Sequence, residues 1–135
     1  MKICEEFYIN GEWVKPINEL KTLDVINPAT EEVFGRIALG DSADVDAAVD
    51  AAYEAFETFS LVSVDDRVAL LEKILEVYKG KYDEIAETIS SEMGAPIGLS
   101  KAAQAATGLG HFSTALETLK NYNFEEIKGS ALIRK

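Results

Sequence analysis

The sequence predicts a mainly α-helical fold with small antiparallel β hairpins, and three patterns carry that expectation. Residues 64–96 place Val68, Leu71, Ile74, Leu75, Tyr78, Tyr82, Ile85, Ile89 and Met93 at three- and four-residue steps, which puts them on one stripe of a helical surface. Residues 99–122 resume the same steps through Leu99, Ala102, Ala103, Ala106, Leu109, Phe112, Leu116 and Leu119. Ahead of both, residues 7–14 hold Asn10 and Gly11 between short β-prone runs, and both residues tolerate the positive φ of a tight type I′ turn.

In chain order, the first hairpin is expected as strands at 6–9 and 12–15, with Trp13 covering apolar surface, because an isolated two-stranded hairpin is marginal in water. Residues 16–22 read as a linker. A second hairpin follows, extended at 23–26, turning at 27–31 and extended again at 32–39. Pro28 fixes φ at the start of its turn and disfavours helix at Asn27. Gly40 then breaks the strand pattern, and Asp41 or Ser42 can cap a helix whose first turn carries Asp44 and Asp46. That helix lines up Val45, Ala48, Val49, Ala52, Phe56 and Phe59 on one side. Its alanines imply close approach to another helix or a sheet.

Residues 60–63 interrupt, with Ser63 or Asp65 available as the next cap. Gly80 costs about 1 kcal/mol against alanine inside a helix, so two helices are expected, at 66–79 and 82–93. Gly94 suits a left-handed cap and Pro96 prevents continuation. Gly108 and Gly110 lie inside the last helical pattern. They imply either a backbone or ligand that needs the space or a helix simply weakened there. Residues 128–130 read as strand, running to the end of the sequence. The layout is therefore hairpins over 1–40, helices over 41–122 and the start of further strands over 123–135.

A chain of 135 residues is near the size of one domain and can bury roughly two-thirds of its extended surface. No apolar run approaches the ~20 residues of a membrane span, and Glu5 and Glu6 occupy the place of a secretory signal's apolar region. The expectation is a cytoplasmic protein. The net charge of −11, from 24 acids and 13 bases, repels phosphate backbones and anionic lipids, which argues against nucleic-acid and membrane partners. Cys4 is the single cysteine; it forms no intrachain disulfide, and its acidic neighbours disfavour a thiolate. The single histidine, His111, would need carboxylates to complete a metal site. A packed or half-exposed role fits it better.

The chain lacks GxGxxG after a strand, a P-loop, HExxH, CxxC and GxSxG, so the common cofactor and nucleophile motifs are missing. Glycines at 98–110 fall on a helix-period pattern and not in the strand-to-helix turn that cradles a phosphate. Glu31 with Glu32, and Glu125 with Glu126, point to opposite faces when extended. No catalytic or cofactor-binding residue is assigned.

Five blocks nevertheless occur together: YINGEW at 8–13, VINPATEEVFGRIALG at 25–40, DVDAAVDAAYEAF at 44–56, DRVALLEKI at 66–74 and EMGAP at 92–96. In this order and spacing they resemble the N-terminal portion of the NAD(P)-dependent aldehyde dehydrogenases. Ala95 departs from the pattern, since the family usually has lysine between that glycine and proline. The resemblance implies an N-terminal fragment of an aldehyde dehydrogenase-like α/β fold, without the Rossmann core, which is built mostly from later sequence. It implies partners in the missing C-terminal domains, or self-association, and a last strand belonging to an oligomerisation region.

The resemblance also implies a reaction that this chain lacks the residues to perform. Aldehyde is oxidised to carboxylic acid with NAD or NADP, by thiolate attack, hydride transfer and hydrolysis of the thioester; the catalytic cysteine and glutamate and the cofactor contacts lie in later sequence. The chain alone is expected to bind no cofactor and to be inactive. Two lesser roles carry over. Val25, Ile26 and Glu92 match a segment near a monovalent cation, and Ala103, Thr107 and His111 match the helix lining the substrate tunnel, where tight helix packing explains the small residues equally well. The alternative to the fragment is a self-contained helical interaction or oligomerisation module, which should bury its own apolar faces.

Overall fold

The computed structural model describes residues 1–134; the last residue of the expected final strand, Lys135, lies outside them. Strands β2 (Phe7–Ile9) and β3 (Glu12–Val14) form the first hairpin. Asn10 and Gly11 turn it with φ of 53° and 81°. Trp13 leans on Tyr8 with ring centroids 5.3 Å apart and stays 67% exposed. Its contact is thus with its cross-strand neighbour, and most of the ring remains open, where the sequence predicts that it covers apolar surface.

The second hairpin pairs β4 (Lys21–Asn27) with β5 (Glu32–Leu39), so β4 starts inside the expected linker. Asn27 closes its turn: the side-chain oxygen accepts from the Ala29 amide at 2.9 Å and the carbonyl from the Glu31 amide at 2.8 Å. A short strand β1 (Lys2–Cys4) runs parallel to β5 on its other edge. The sequence pattern predicts only antiparallel hairpins; a parallel pair between residues more than thirty apart leaves no turn signal to read.

Helix α1 (Ser42–Phe59) is capped by Asp41 in a reciprocal capping box with Asp44. Buried Asp44 accepts from the Asp41 amide at 3.0 Å and from the Ile17 amide at 2.9 Å. One carboxylate thus starts the helix and ties down the segment before β4. The Asp41 carboxyl is held below its usual range, chiefly by the Asn18 side-chain amide and next by the Ala43 N–H. Helix α2 (Val64–Gly80) is capped by Ser63, and α3 (Tyr82–Met93) follows after Lys81, as the glycine at 80 predicts. Gly94 ends α3 with φ of 70°, and a side chain there would place its first carbon 2.7 Å from Pro28 Cγ. The glycine both caps the helix and seats it on the β4–β5 turn.

The last helical run has three parts: α4 (Ile97–Leu99), a π-helical turn at Ser100–Gln104, and α5 (Ala105–Asn121). Ser100 and Ala105 are both fully buried. An α-helix would set residues five apart about 140° round its axis, whereas i→i+5 bonding brings them nearly into line. The widened turn is thus what lets both face α2 and α3. Tyr78 of α2 packs where Gly108 leaves room, since a methyl there would come 2.2 Å from its hydroxyl. Neither a backbone nor a ligand claims that space; a tyrosine ring does. Gly110 has open space beside it.

Strands β6 (Glu125–Lys128) and β7 (Ala131–Arg134) form a hairpin turned at Gly129, φ 63°. The sequence pattern predicts continuous strand over 128–130; the positive φ makes this stretch the turn. Among the described residues, the buried apolar side chains are Leu75, Ala86 and Ala105. Tyr8, Ile9, Asn10 and Gly11 border a shallow groove with alanines of α1, Ala48 and Ala51 among them, so the alanine-rich side meets the first hairpin. Beside it Val45, Val49, Tyr53 and Phe56 remain 59% to 73% exposed. A self-contained module would cover such a stripe.

Two glycines on one helix should respond oppositely to alanine. Gly108→Ala forces Tyr78 aside and should cost about 1–3 kcal/mol, while Gly110→Ala meets nothing and should stabilise by up to about 1 kcal/mol. Urea unfolding midpoints of the two variants decide this.

Candidate functional site

Two surfaces collect the residues singled out from the sequence. The first begins at an irregularity in the second hairpin, where pairing passes from Val25–Gly35 to Ile26–Val33 and leaves Phe34 as the extra residue. Such a bulge bends its strand and re-aims neighbouring side chains. The end of α3 is held beside it by the Gly94–Pro28 contact and by Lys2 Nζ, which donates to Thr88 Oγ1 at 3.2 Å. Between them lies a crevice of about 130 Å³ whose lining includes Lys2, Cys4, Val25, Arg36, Thr88 and Glu92.

Val25 and Glu92 therefore do come together, 67 residues apart in sequence. Ile26 is exposed and does not line the crevice. Two cationic side chains share the space with one carboxylate. Arg36 Nε donates to Asp24 Oδ1 at 2.7 Å, and that hydrogen bond, followed by the charge of Asp24, raises the guanidinium pKa. Among the described residues no three His, Cys, Asp or Glu side chains gather in a way that could hold a metal ion. A monovalent cation here would rely on the Val25 carbonyl, the Glu92 carboxylate and oxygens from elsewhere. Sequence adjacency to Glu5 and Glu6 obscured the position of Cys4, which lies beside Lys2 and Arg36.

The second surface is the outward side of the π turn and α5. Ala103, Thr107 and His111 follow at four-residue steps and are all exposed, so they share one face. Thr107 Oγ1 donates back to the Ala103 carbonyl at 2.9 Å. His111 borders a groove with Leu119, Tyr122 and Phe124. On the inward side, Tyr82 donates its hydroxyl to the Lys101 carbonyl, and Tyr78 donates to the Ala105 carbonyl at 2.9 Å. Both tyrosines sit in the apolar stripe of the sequence, which marks them as buried but gives no hint that their hydroxyls end on another helix.

Neither surface resembles a phosphate cradle. The first turn of α1 already satisfies its amides with Asp41 and Asp44, and that of α2 with Ser63, whose hydroxyl donates to Asp66 at 2.6 Å. Anions gain little from helix ends so occupied.

The profile of the aldehyde dehydrogenase family matches residues 13–134. A Staphylococcus aureus protein, provisionally named an aldehyde dehydrogenase, is 49% identical over 128 residues, covering 95% of this chain and 27% of that protein. The crystal structure of an aldehyde dehydrogenase from Bartonella henselae superimposes with a TM-score of 0.91 at 42% identity, over 96% of this chain and 27% of that one. A mutant of aldehyde dehydrogenase C from Pseudomonas syringae, in complex with NAD+ and octanal, gives a TM-score of 0.92 at 37% identity, over 97% and 27%. The chain spans 27% of the length of the curated relatives it matches.

With a single carboxylate beside two cations, the crevice should show no ion selectivity by itself. The melting temperature should be equal in potassium, sodium and tetramethylammonium chloride at one ionic strength. A potassium- or sodium-specific rise that Glu92→Gln abolishes would mean that the residues of this chain suffice.

Proposed function

The chain belongs to the aldehyde dehydrogenase family as an N-terminal segment, and we propose that it is the first quarter of an enzyme oxidising an aldehyde to a carboxylic acid with NAD or NADP. One observation supports this most. A segment that keeps the fold of its much longer relatives leaves the stripe Val45, Val49, Tyr53 and Phe56 uncovered, as a surface docked on further polypeptide would be. Contiguous exposed apolar surface of this kind marks an interaction site.

Residues 1–134 carry no glycine turn after a strand to cradle a dinucleotide, and side-chain caps close the starts of α1 and α2. In the whole enzyme that cofactor accepts the hydride, and its binding and the chemistry are assigned to later sequence. The part assigned to this chain is positional. The face carrying Ala103, Thr107 and His111 forms a wall of the aldehyde's route, where side chains no larger than these leave room. Val25 and Glu92 supply two of the oxygens around a monovalent cation, completed from later sequence. Ile26 stands next to that site without lining it. The hairpin of β6 and β7 opens the oligomerisation region. The place proposed for the enzyme is the cytoplasm; no helix among the described residues is long and apolar enough to cross a membrane. The self-contained module is disfavoured by the same open stripe.

Two measurements test the reading. Purified chain should show no aldehyde-dependent NAD+ or NADP+ reduction above a protein-free blank, and turnover undiminished by Cys4→Ser would overturn the inactivity. An environment-sensitive dye should brighten on the chain and lose most of that signal in Val49→Asp/Phe56→Glu. A compact monomer that leaves the dye dark would overturn the docking surface.

A further inference from the structure

We propose that Tyr78 and Tyr82 are positioning residues for aldehyde specificity: their hydroxyls hold open the widened turn at Ser100–Gln104, and that turn sets where Ala103, Thr107 and His111 stand. The inference rests on the proposed role of that face as a wall of the substrate route. It goes further, because neither tyrosine reaches that face.

A π turn releases a backbone carbonyl from the regular i→i+4 ladder, and a carbonyl without a partner in a part-buried place is costly. Here side-chain hydroxyls meet three carbonyls in and just beyond the turn. Tyr82 from α3 takes Lys101, Thr107 takes Ala103 and Tyr78 from α2 takes Ala105. The ends of the turn are thus held from two different helices. Lys101 Nζ, 2.8 Å from Asp83 Oδ1, adds a second link to α3. Gly108 is the accommodation for this arrangement, since any side chain there collides with the ring and hydroxyl of Tyr78.

Relaxing the turn to α-helix would rotate α5 by about 100° and slide it about 1.5 Å along the axis. Ser100 and Ala105 could no longer both face the bundle, and the outward face would move with them. A shift in the wall of the substrate route changes which aldehyde chain the wall accommodates, and so the discrimination between short and long substrates. The hydroxyls therefore act on substrate choice through the helix, at a distance from the aldehyde.

The test compares acetaldehyde with hexanal in the complete enzyme of which the chain is the proposed first quarter. Tyr78→Phe/Tyr82→Phe should change the ratio of their kcat/KM values by about threefold or more, through KM, with kcat within about twofold of the parent. If the double variant does not fold, the two single variants should each move the ratio in the same direction. Lys120→Gln breaks the 2.7 Å bridge from α5 to Glu72 of α2 away from the turn, and should leave the ratio alone. An unchanged ratio in the tyrosine variants, or an equal change in Lys120→Gln, overturns the inference. Ala103→Leu checks the underlying reading: if it leaves the ratio unmoved, the wall assignment itself fails, whatever the tyrosines do.

Discussion

One tyrosine seat governs how the helices of this chain meet. The ring of Tyr78 lies over Gly108 and near Phe112, with centroids 6.2 Å apart, and its hydroxyl ends on the Ala105 carbonyl. Ring and hydroxyl together fix the spacing and the rotation of α5 against α2, because moving either breaks an apolar contact or strands a polar one. Leu75, one turn before Tyr78, and Ala105 are buried at the same junction. The π turn, the exposed small-residue face and the bridge from Lys120 to Glu72 all depend on that placement.

Away from this junction the chain encloses little. Helix α1 is well capped and touches the first hairpin through its alanines, yet its larger apolar side chains face outward. Capping, helix propensity and hairpin turns are local and need no partner. Burial of Val45, Val49, Tyr53 and Phe56 does. Such a segment keeps its secondary structure from local rules while its apolar stripe stays open, and the chain spans 27% of the length of its relatives.

The candidate sites divide along the same line. Val25 and Glu92 became neighbours because Gly94 lets α3 end against Pro28, a contact between residues far apart in sequence. Ile26 fell outside the crevice because successive residues of a strand point to opposite faces, and Val25 faces the crevice. The resemblance to aldehyde dehydrogenases selected these positions, and the shared spacing of Ala103, Thr107 and His111 placed them on one face. It carried no information about the positive charges of Lys2 and Arg36 in the crevice, since their approach depends on the parallel pairing of β1 with β5.

What the sequence determined by itself is the order and kind of the elements. Asn10 with Gly11, Asn27 with Pro28, the caps Asp41 and Ser63, and the stops at Gly80 and Gly94 each act through backbone geometry within a few residues. Residue chemistry gave no reaction centre to assign, because Cys4 and His111 are single and the common cofactor motifs are missing. Tertiary structure alone decided the parallel strand β1, the outward Trp13 and the π turn. Each of these depends on which distant group satisfies a backbone atom or covers a ring, and a linear pattern records that a side chain is apolar without recording what it will touch.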